Sequence, residues 1–286
     1  MPRRAAVAGK FYDADQNMLV RTLEGCFLDR LGPGKLPMPK RQRTGNVLGL
    51  VVPHAGYVYS GAAAAHSYDA LSSDGLPDLA VILGPNHHGA GHPVAVSEAT
   101  RWITPLGSVH VEDEISEKIV QLSQFAQADE DAHVREHSIE VQLPFLQFIG
   151  GHKISIVPIS ISHLGEADAL VAVDDLSKAI ATAVEGKNAI IIASTDFSHY
   201  ESQEVANAYD SMALSQILAM NGRGLIRTVR EECISMCGAL GVAVMIDASK
   251  LLGATAARKL TYHTSGDVTG DKRRVVGYAA VAVEKL

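Results

Sequence analysis

Three apolar stretches of this chain each run directly into residues that bind metals or move protons. Residues 47–52 (VLGLVV) lead into Pro53-His54-Ala55-Gly56, and residues 79–83 (LAVIL) into Gly84-Pro85-Asn86-His87-His88. Residues 189–193 (AIIIA) lead into Ser194-Thr195-Asp196-Phe197-Ser198-His199. Short β-branched apolar runs bounded by such residues read as buried strands. In an open α/β sheet, ligands bind in the crevice at the carboxyl ends of the strands. Two strand ends bearing histidine and a third bearing an Asp/His pair therefore point to one polar site, and to a metal ion. A lone His54 would read as a core histidine satisfied by backbone; the same feature at His87 shifts the balance. His88 and His92 follow His87 in a glycine-rich loop, and either is an alternative to it.

Further candidates lie elsewhere in the chain. Cys237 precedes Gly238 and an apolar helical stretch, so a thiolate there would be favoured by the helix dipole and by a metal. Cys233, four residues earlier, makes a weak CxxxC pattern; the glycine allows close approach and favours Cys237. Asp196 and His199 can act as acid and base, or the carboxylate can orient the imidazole. His137 is flanked by Glu136 and Glu140, with His137 in a supporting role to the site and Glu140 read as structural. His66, His110, His133, His152, His163 and His263 have no partner legible in the sequence. No GxGxxG, phosphate-loop lysine, GxSxG or HExxH pattern is present.

The elements that must position these residues alternate. Residues 17–31 have helical spacing, with Leu19, Leu23, Phe27 and Leu31 on one face, and Gly32-Pro33-Gly34 ends them. Helices are expected over 60–71 (Ser60 as N-cap), 115–125, 137–149 (kinked at Pro144), 167–184, 204–219 and 240–252. Further strands are expected over 154–161, 260–264 and 275–283. Strands alternating with helices predict one α/β domain over residues 1–286, with 1–45 as a leading helix and loop. Its central sheet should be mixed and largely parallel, flanked by helices.

The 286 residues suffice for one large core, so no disulfide or metal is needed to hold the fold. A net charge of −7 argues against a phosphate-backbone partner, and the cluster Lys35, Lys40, Arg41 and Arg43 reads as a solvated loop, not a nucleic-acid patch. Three cysteines read as reduced thiols. No stretch has the length of a membrane span or a signal-peptide core, so the expected location is the cytoplasm. Trp102 is expected at the pocket mouth or in an oligomer contact.

Five ordered blocks carry a family resemblance: PHAGYVYSG (53–61), LGPNHH (83–88), EHSIEVQLPFL (136–146), STDFSHY (194–200) and MCGALG (236–241). Together they resemble the Memo family over nearly the whole chain. That family is similar in fold to the class III extradiol ring-cleavage dioxygenases, the LigB-like group. The resemblance implies a metal site of His54, His87 and Cys237, in a pocket also lined by Asp196, His199 and His137. In the dioxygenases a carboxylate completes the ligand set on iron(II); a thiolate here is softer and suits copper, zinc or a differently tuned iron. Three functions follow as expectations. One is a metal-dependent oxidoreductase acting on a small oxidisable molecule, with iron or copper favoured and zinc also suited. The second is a non-catalytic module that binds a peptide in the same pocket. The third is an accessory of a radical-SAM modification system, beside a radical-SAM protein and an AMMECR-type partner. A homo-oligomer is common for such folds.

Overall fold

Asp15 caps the first helix by accepting from the Met18 amide, and α1 (Gln16–Leu28) buries Leu19, Leu23, Cys26 and Phe27. Strand and helix then alternate through β1 (Val47–Val52), α2 (Tyr57–Asp74), β2 (Leu79–Pro85), β3 (Val94–Val96) and the hairpin of β4 (Arg101–Thr104) and β5 (Gly107–His110). Next come α3 (Asp113–Leu122), β6 (Gln127–Ala128), α4 (Leu143–Gly150), β7 (Ser155–Ile161), α5 (Glu166–Val184) and β8 (Ala189–Ser194). The chain continues through β9 (His199–Glu201), α6 (Gln203–Leu218), α7 (Gly222–Glu231), α8 (Ala239–Leu251), β10 (Ala256–Thr264), α9 (Ser265–Thr269) and β11 (Val275–Glu284). The computed structural model describes residues 1–151 and 153–286, and for Glu166 the backbone only.

One sheet runs in the order β10-β11-β1-β8-β2-β7-β3-β6, with β9 paired to β11. Its four central strands, β1, β8, β2 and β7, are parallel, while β11, β10 and β3 join antiparallel. Alternate side chains of these strands face opposite ways. Val51, Val81, Val157 and Ile191 enter a core with α3, α5, α7 and α8. Leu50, Ile82, Ile156 and Ile192 enter a second core with α1, α2 and α4. The chain is thus a single α/β domain, a mixed and mostly parallel sheet between two helical layers, as the alternating pattern predicts.

Boundaries differ where local chemistry outweighs periodicity. Helix α2 starts at Tyr57, not Ser60; Gly56 is its N-cap, and the Ser60 hydroxyl donates to the Ala55 carbonyl at 2.9 Å. The expected helix over 137–149 breaks into irregular chain, one 3-10 turn (Glu140–Gln142) and α4, with Pro144 in the first turn of α4, where its missing N–H costs nothing. The strand expected over 260–264 begins at Ala256. Strands β3–β6 and β9 and helices α7 and α9 went unread; the strands are too short for a period to register. Among the described residues no helix is long and apolar enough to cross a membrane.

Candidate metal centre

Because β1, β8 and β2 are parallel neighbours, their carboxyl ends open on the same edge of the sheet. His54, Asp196 and His87 each sit two residues past one of those ends. His137 arrives on the chain that precedes the 3-10 turn, pinned to β2 by a hydrogen bond from Ser138 Oγ to the Pro85 carbonyl at 2.8 Å. A Cβ on Gly84 would lie 2.5 Å from Ser138 Oγ, so that approach requires glycine. Cys237 is brought in by the loop before α8. A Cβ on Gly238 would lie 2.6 Å from the Ser194 carbonyl oxygen, so glycine again lets the loop close on the strand end.

These placements bring the ligating atoms of His54, His87 and His137 within 4.8 Å of one another. The ring centroids stand 5.2 Å (His54–His87), 5.5 Å (His54–His137) and 4.6 Å (His87–His137) apart. Cys237 Sγ lies 3.3 Å from His54 Nε2. His54 is buried, His137 half-buried and His87 exposed, so the cluster is reached from the His87 side.

Hydrogen bonding decides which nitrogens face the cluster. Ser194 Oγ donates to the Ser138 carbonyl at 2.6 Å, and a carbonyl only accepts. The Ser194 oxygen is left as acceptor, for Gln142 Nε2 at 2.8 Å and His54 Nδ1 at 2.9 Å. Tyr68, donating to Gln142 Oε1 at 2.9 Å, fixes that amide's orientation. His54 therefore carries its proton on Nδ1 and offers a lone pair at Nε2, the usual device for setting the tautomer of a metal-binding histidine. His87 Nδ1 lies 2.9 Å from Glu136 Oε1. Burial pushes the Glu136 carboxyl upward, but the His87 contact, the Ser138 N–H and His137 together hold it well below the usual carboxylate range. Glu136 is thus an ionised acceptor, so His87 Nδ1 donates and Nε2 is free. His137 Nδ1 lies 3.3 Å from the same oxygen.

Burial favours the neutral form of two of the three imidazoles. Burial, reinforced by His137 and His87, holds His54 well below its ordinary value. Burial brings His137 down to about 4. Burial and the Asp196 charge push the Cys237 thiol up to about 12. Asp196 is raised to about 6 by burial, against the N–H groups of His54 (2.8 Å) and Ala55 that favour its charged form. The Asp196 amide in turn donates to Cys237 Sγ at 3.3 Å.

The donors fit an ion. A tetrahedral metal with nitrogen at about 2.05 Å and sulfur at about 2.3 Å sets that pair about 3.6 Å apart. The observed 3.3 Å between Cys237 Sγ and His54 Nε2 matches to within a few tenths of an ångström. Two nitrogens on such an ion stand about 3.3 Å apart; the ligating nitrogens of His54, His87 and His137 lie within 4.8 Å of one another, so the imidazoles need draw together by no more than about 1.5 Å to share one.

Other candidates fall outside the cluster. His88 is exposed; His92 lies 3.1 Å from the Val94 carbonyl through Nδ1. His133 packs into the core against the Ala95 carbonyl, and Cys233 is exposed. His152 lies outside the described residues. His199 flanks the cluster on the Cys237 loop, donating from Nδ1 to the Ser235 carbonyl at 2.8 Å. Trp102 is neither at a pocket mouth nor on the surface: it is 1% exposed, under the Arg3 guanidinium at 4.0 Å. Three residues escaped the sequence reading as site residues: Glu136, Ser194 and Gln142. The position of Glu136 directly before His137 was the available signal. Glu140 is structural, accepting from Arg3 Nη1 (2.6 Å), Tyr12 Oη (2.6 Å) and the Ala6 and Val7 amides.

A cavity of about 220 Å³ reaches His87 and Cys237 and is walled by Ile161, Leu164, Ile226 and Met236. A larger one of about 610 Å³ lies beside Phe11 and Tyr57 but touches none of the cluster side chains. The smaller is the one with access to the chemistry, and size does not outweigh that.

The model of the Memo-like protein family matches residues 3–282. A MEMO1 family protein of Methanothermobacter thermautotrophicus is 45% identical over 281 residues, covering 98% of this chain and 99% of that protein. Relatives of the same name from Methanopyrus kandleri (42% identical, all of both chains) and Thermotoga maritima (44%, 97% of this chain and 98% of that protein) are similar throughout. With these matches spanning the strand ends, the His137 segment and the Cys237 loop alike, the chain belongs to the Memo-like family.

Proposed function

We propose that this protein is a metal-dependent oxidoreductase whose ion is held by His54 Nε2, His87 Nε2 and Cys237 Sγ. One observation carries the reading: three imidazoles and a thiol from four separate segments meet at the carboxyl edge of the sheet. An iron or copper ion in that donor set supplies one-electron and oxygen chemistry, and zinc suits the donors as well. The protein's own groups do the rest. Ser194 and Glu136 hold His54 and His87 in the tautomers that expose Nε2. His137, uncharged at neutral pH, and His199, at the rim, accept protons. Asp196 ties the His54 backbone to the Cys237 loop. The apolar wall of the 220 Å³ cavity suits a small oxidisable molecule and sheds water from it. Three free thiols suit a reducing compartment, the cytoplasm.

The test is metal content and anomalous scattering at the iron, copper and zinc edges, on protein made without a histidine tag. About one ion per chain between His54, His87 and Cys237 is expected, with oxygen uptake on a panel of catechols and related reductants for the iron or copper form. Protein that takes up no ion overturns the reading; protein that binds one but consumes no oxygen overturns the oxidoreductase half and favours a peptide-binding pocket.

A further inference from the structure

We propose that Glu136 biases the site by the charge of the bound ion, shifting its relative affinity toward divalent cations and away from copper(I). The inference rests on the metal-binding reading above and deepens it. The Glu136 side chain is 1% exposed. Its Oε1 accepts from the His87 ring (2.9 Å) and from the His137 (2.8 Å) and Ser138 (2.9 Å) amides; Oε2 accepts from the His87 amide at 2.6 Å. A single carboxylate therefore holds two of the three clustered imidazoles by ring and backbone together.

Among the described residues its charge has no fixed cation against it. Arg3 reaches the Glu136 backbone carbonyl at 2.6 Å, but the guanidinium is ion-paired with Glu140 at 2.6 Å. Among the described residues, the ion pairs made by the Glu136 carboxylate are with His87 and His137. Once Cys237 gives up its proton to bind metal, thiolate and Glu136 together carry two negative charges. A divalent ion cancels them and a monovalent ion leaves one uncompensated. Asp196, a further buried carboxylate on the Cys237 side, adds negative charge that a divalent ion also offsets better than a monovalent one.

The magnitude follows from the path. A hydrogen bond, an imidazole ring and one metal–nitrogen bond put the carboxylate about 6–7 Å from the ion. At an effective dielectric constant of about 20, one unit of ionic charge at that distance is worth roughly 50-fold in affinity. Removing the Glu136 charge should therefore change the zinc(II)-to-copper(I) affinity ratio by about that factor.

The experiment measures zinc(II) and copper(I) affinities by anaerobic competition with chromophoric chelators, on the untagged full chain and on Glu136→Gln and Glu136→Asp. Glutamine loses the charge and also sets an NH₂ against the His87 amide, so both affinities should fall. The readout is their ratio, which should drop roughly 50-fold in Glu136→Gln. Glu136→Asp keeps the charge, so its ratio should stay within about threefold of the parent even if both affinities fall; should the glutamine variant not fold, Glu136→Ala serves as the charge-free arm, with the same drop in ratio expected. A ratio unchanged in Glu136→Gln, or moved as far in Glu136→Asp, overturns the inference and leaves metal binding standing. Parent protein that binds neither ion overturns both.

Discussion

Replacing Arg3 by methionine should destabilise the whole domain, although the residue lies at the start of the chain. Arg3 is 5% exposed and donates to the His133 carbonyl (2.9 Å), the Glu136 carbonyl (2.6 Å) and Glu140 (2.6 Å), with Trp102 on its face. Methionine fills much of the volume but leaves Glu140 as a buried charge without a countercharge. Removing one partner of a buried pair costs about 3–5 kcal/mol, and the lost arginine–tryptophan stack adds about 1–2 kcal/mol. A domain of this size loses roughly 2–4 °C of melting temperature per kcal/mol, so a fall of roughly 8–28 °C is expected. Urea unfolding followed by circular dichroism gives the free energy directly. The double variant Arg3→Met/Glu140→Gln removes the stranded charge while keeping an acceptor for the Val7 amide and Tyr12. It should therefore be more stable than Arg3→Met alone. A loss under about 1 kcal/mol for Arg3→Met, or a double variant whose losses simply add, refutes the reasoning.

Three further outcomes follow from the site. Cys237→Ser should cut metal affinity at least tenfold while shifting the melting temperature of the metal-free protein by no more than about 3 °C; parent-like affinity in chelator competition removes the thiol from the ligand set. Ser194→Ala strips the acceptor from His54 Nδ1 and Gln142, and metal affinity should fall about 10–100-fold, against no change if the tautomer assignment is wrong. Asp196→Asn should stabilise the metal-free protein at pH 8 more than at pH 5. The carboxyl titrates at about 6 when folded and near 3.8 when unfolded, so the penalty for burying its charge is absent below the unfolded value and complete once pH has risen past the folded one. Thermal melts at the two pH values showing equal gains would contradict the shift.

The strand ends were legible because β1, β2 and β8 are buried on both faces and so read as unbroken apolar runs, each stopped by a polar or proline-containing segment. Parallel order then follows from the intervening helices, and with it the meeting of His54, His87 and Asp196. The His137 segment was less legible. Its apolar residues repeat like a helix, yet Ser138 and Glu136 spend their hydrogen bonds on β2 and on backbone amides, which breaks the helix open. Nothing local announces that Glu136 serves an imidazole 49 residues away, or that Arg3 is buried: both depend on contacts between distant segments, which periodicity does not encode. The close approach allowed by Gly238 was readable from composition; the equal need at Gly84 was hidden within an apolar strand.

The position of β8 between β1 and β2 governs when the centre can exist during synthesis. The first two histidine-bearing strands leave the ribosome more than a hundred residues before the strand that must separate them, and Cys237 follows later still. Pairings so far apart in sequence form slowly. A nascent chain stopped short of residue 189 therefore lacks the strand that sets the His54 and His87 ends in register, and the cluster is complete only after that insertion and the later arrival of the Cys237 loop.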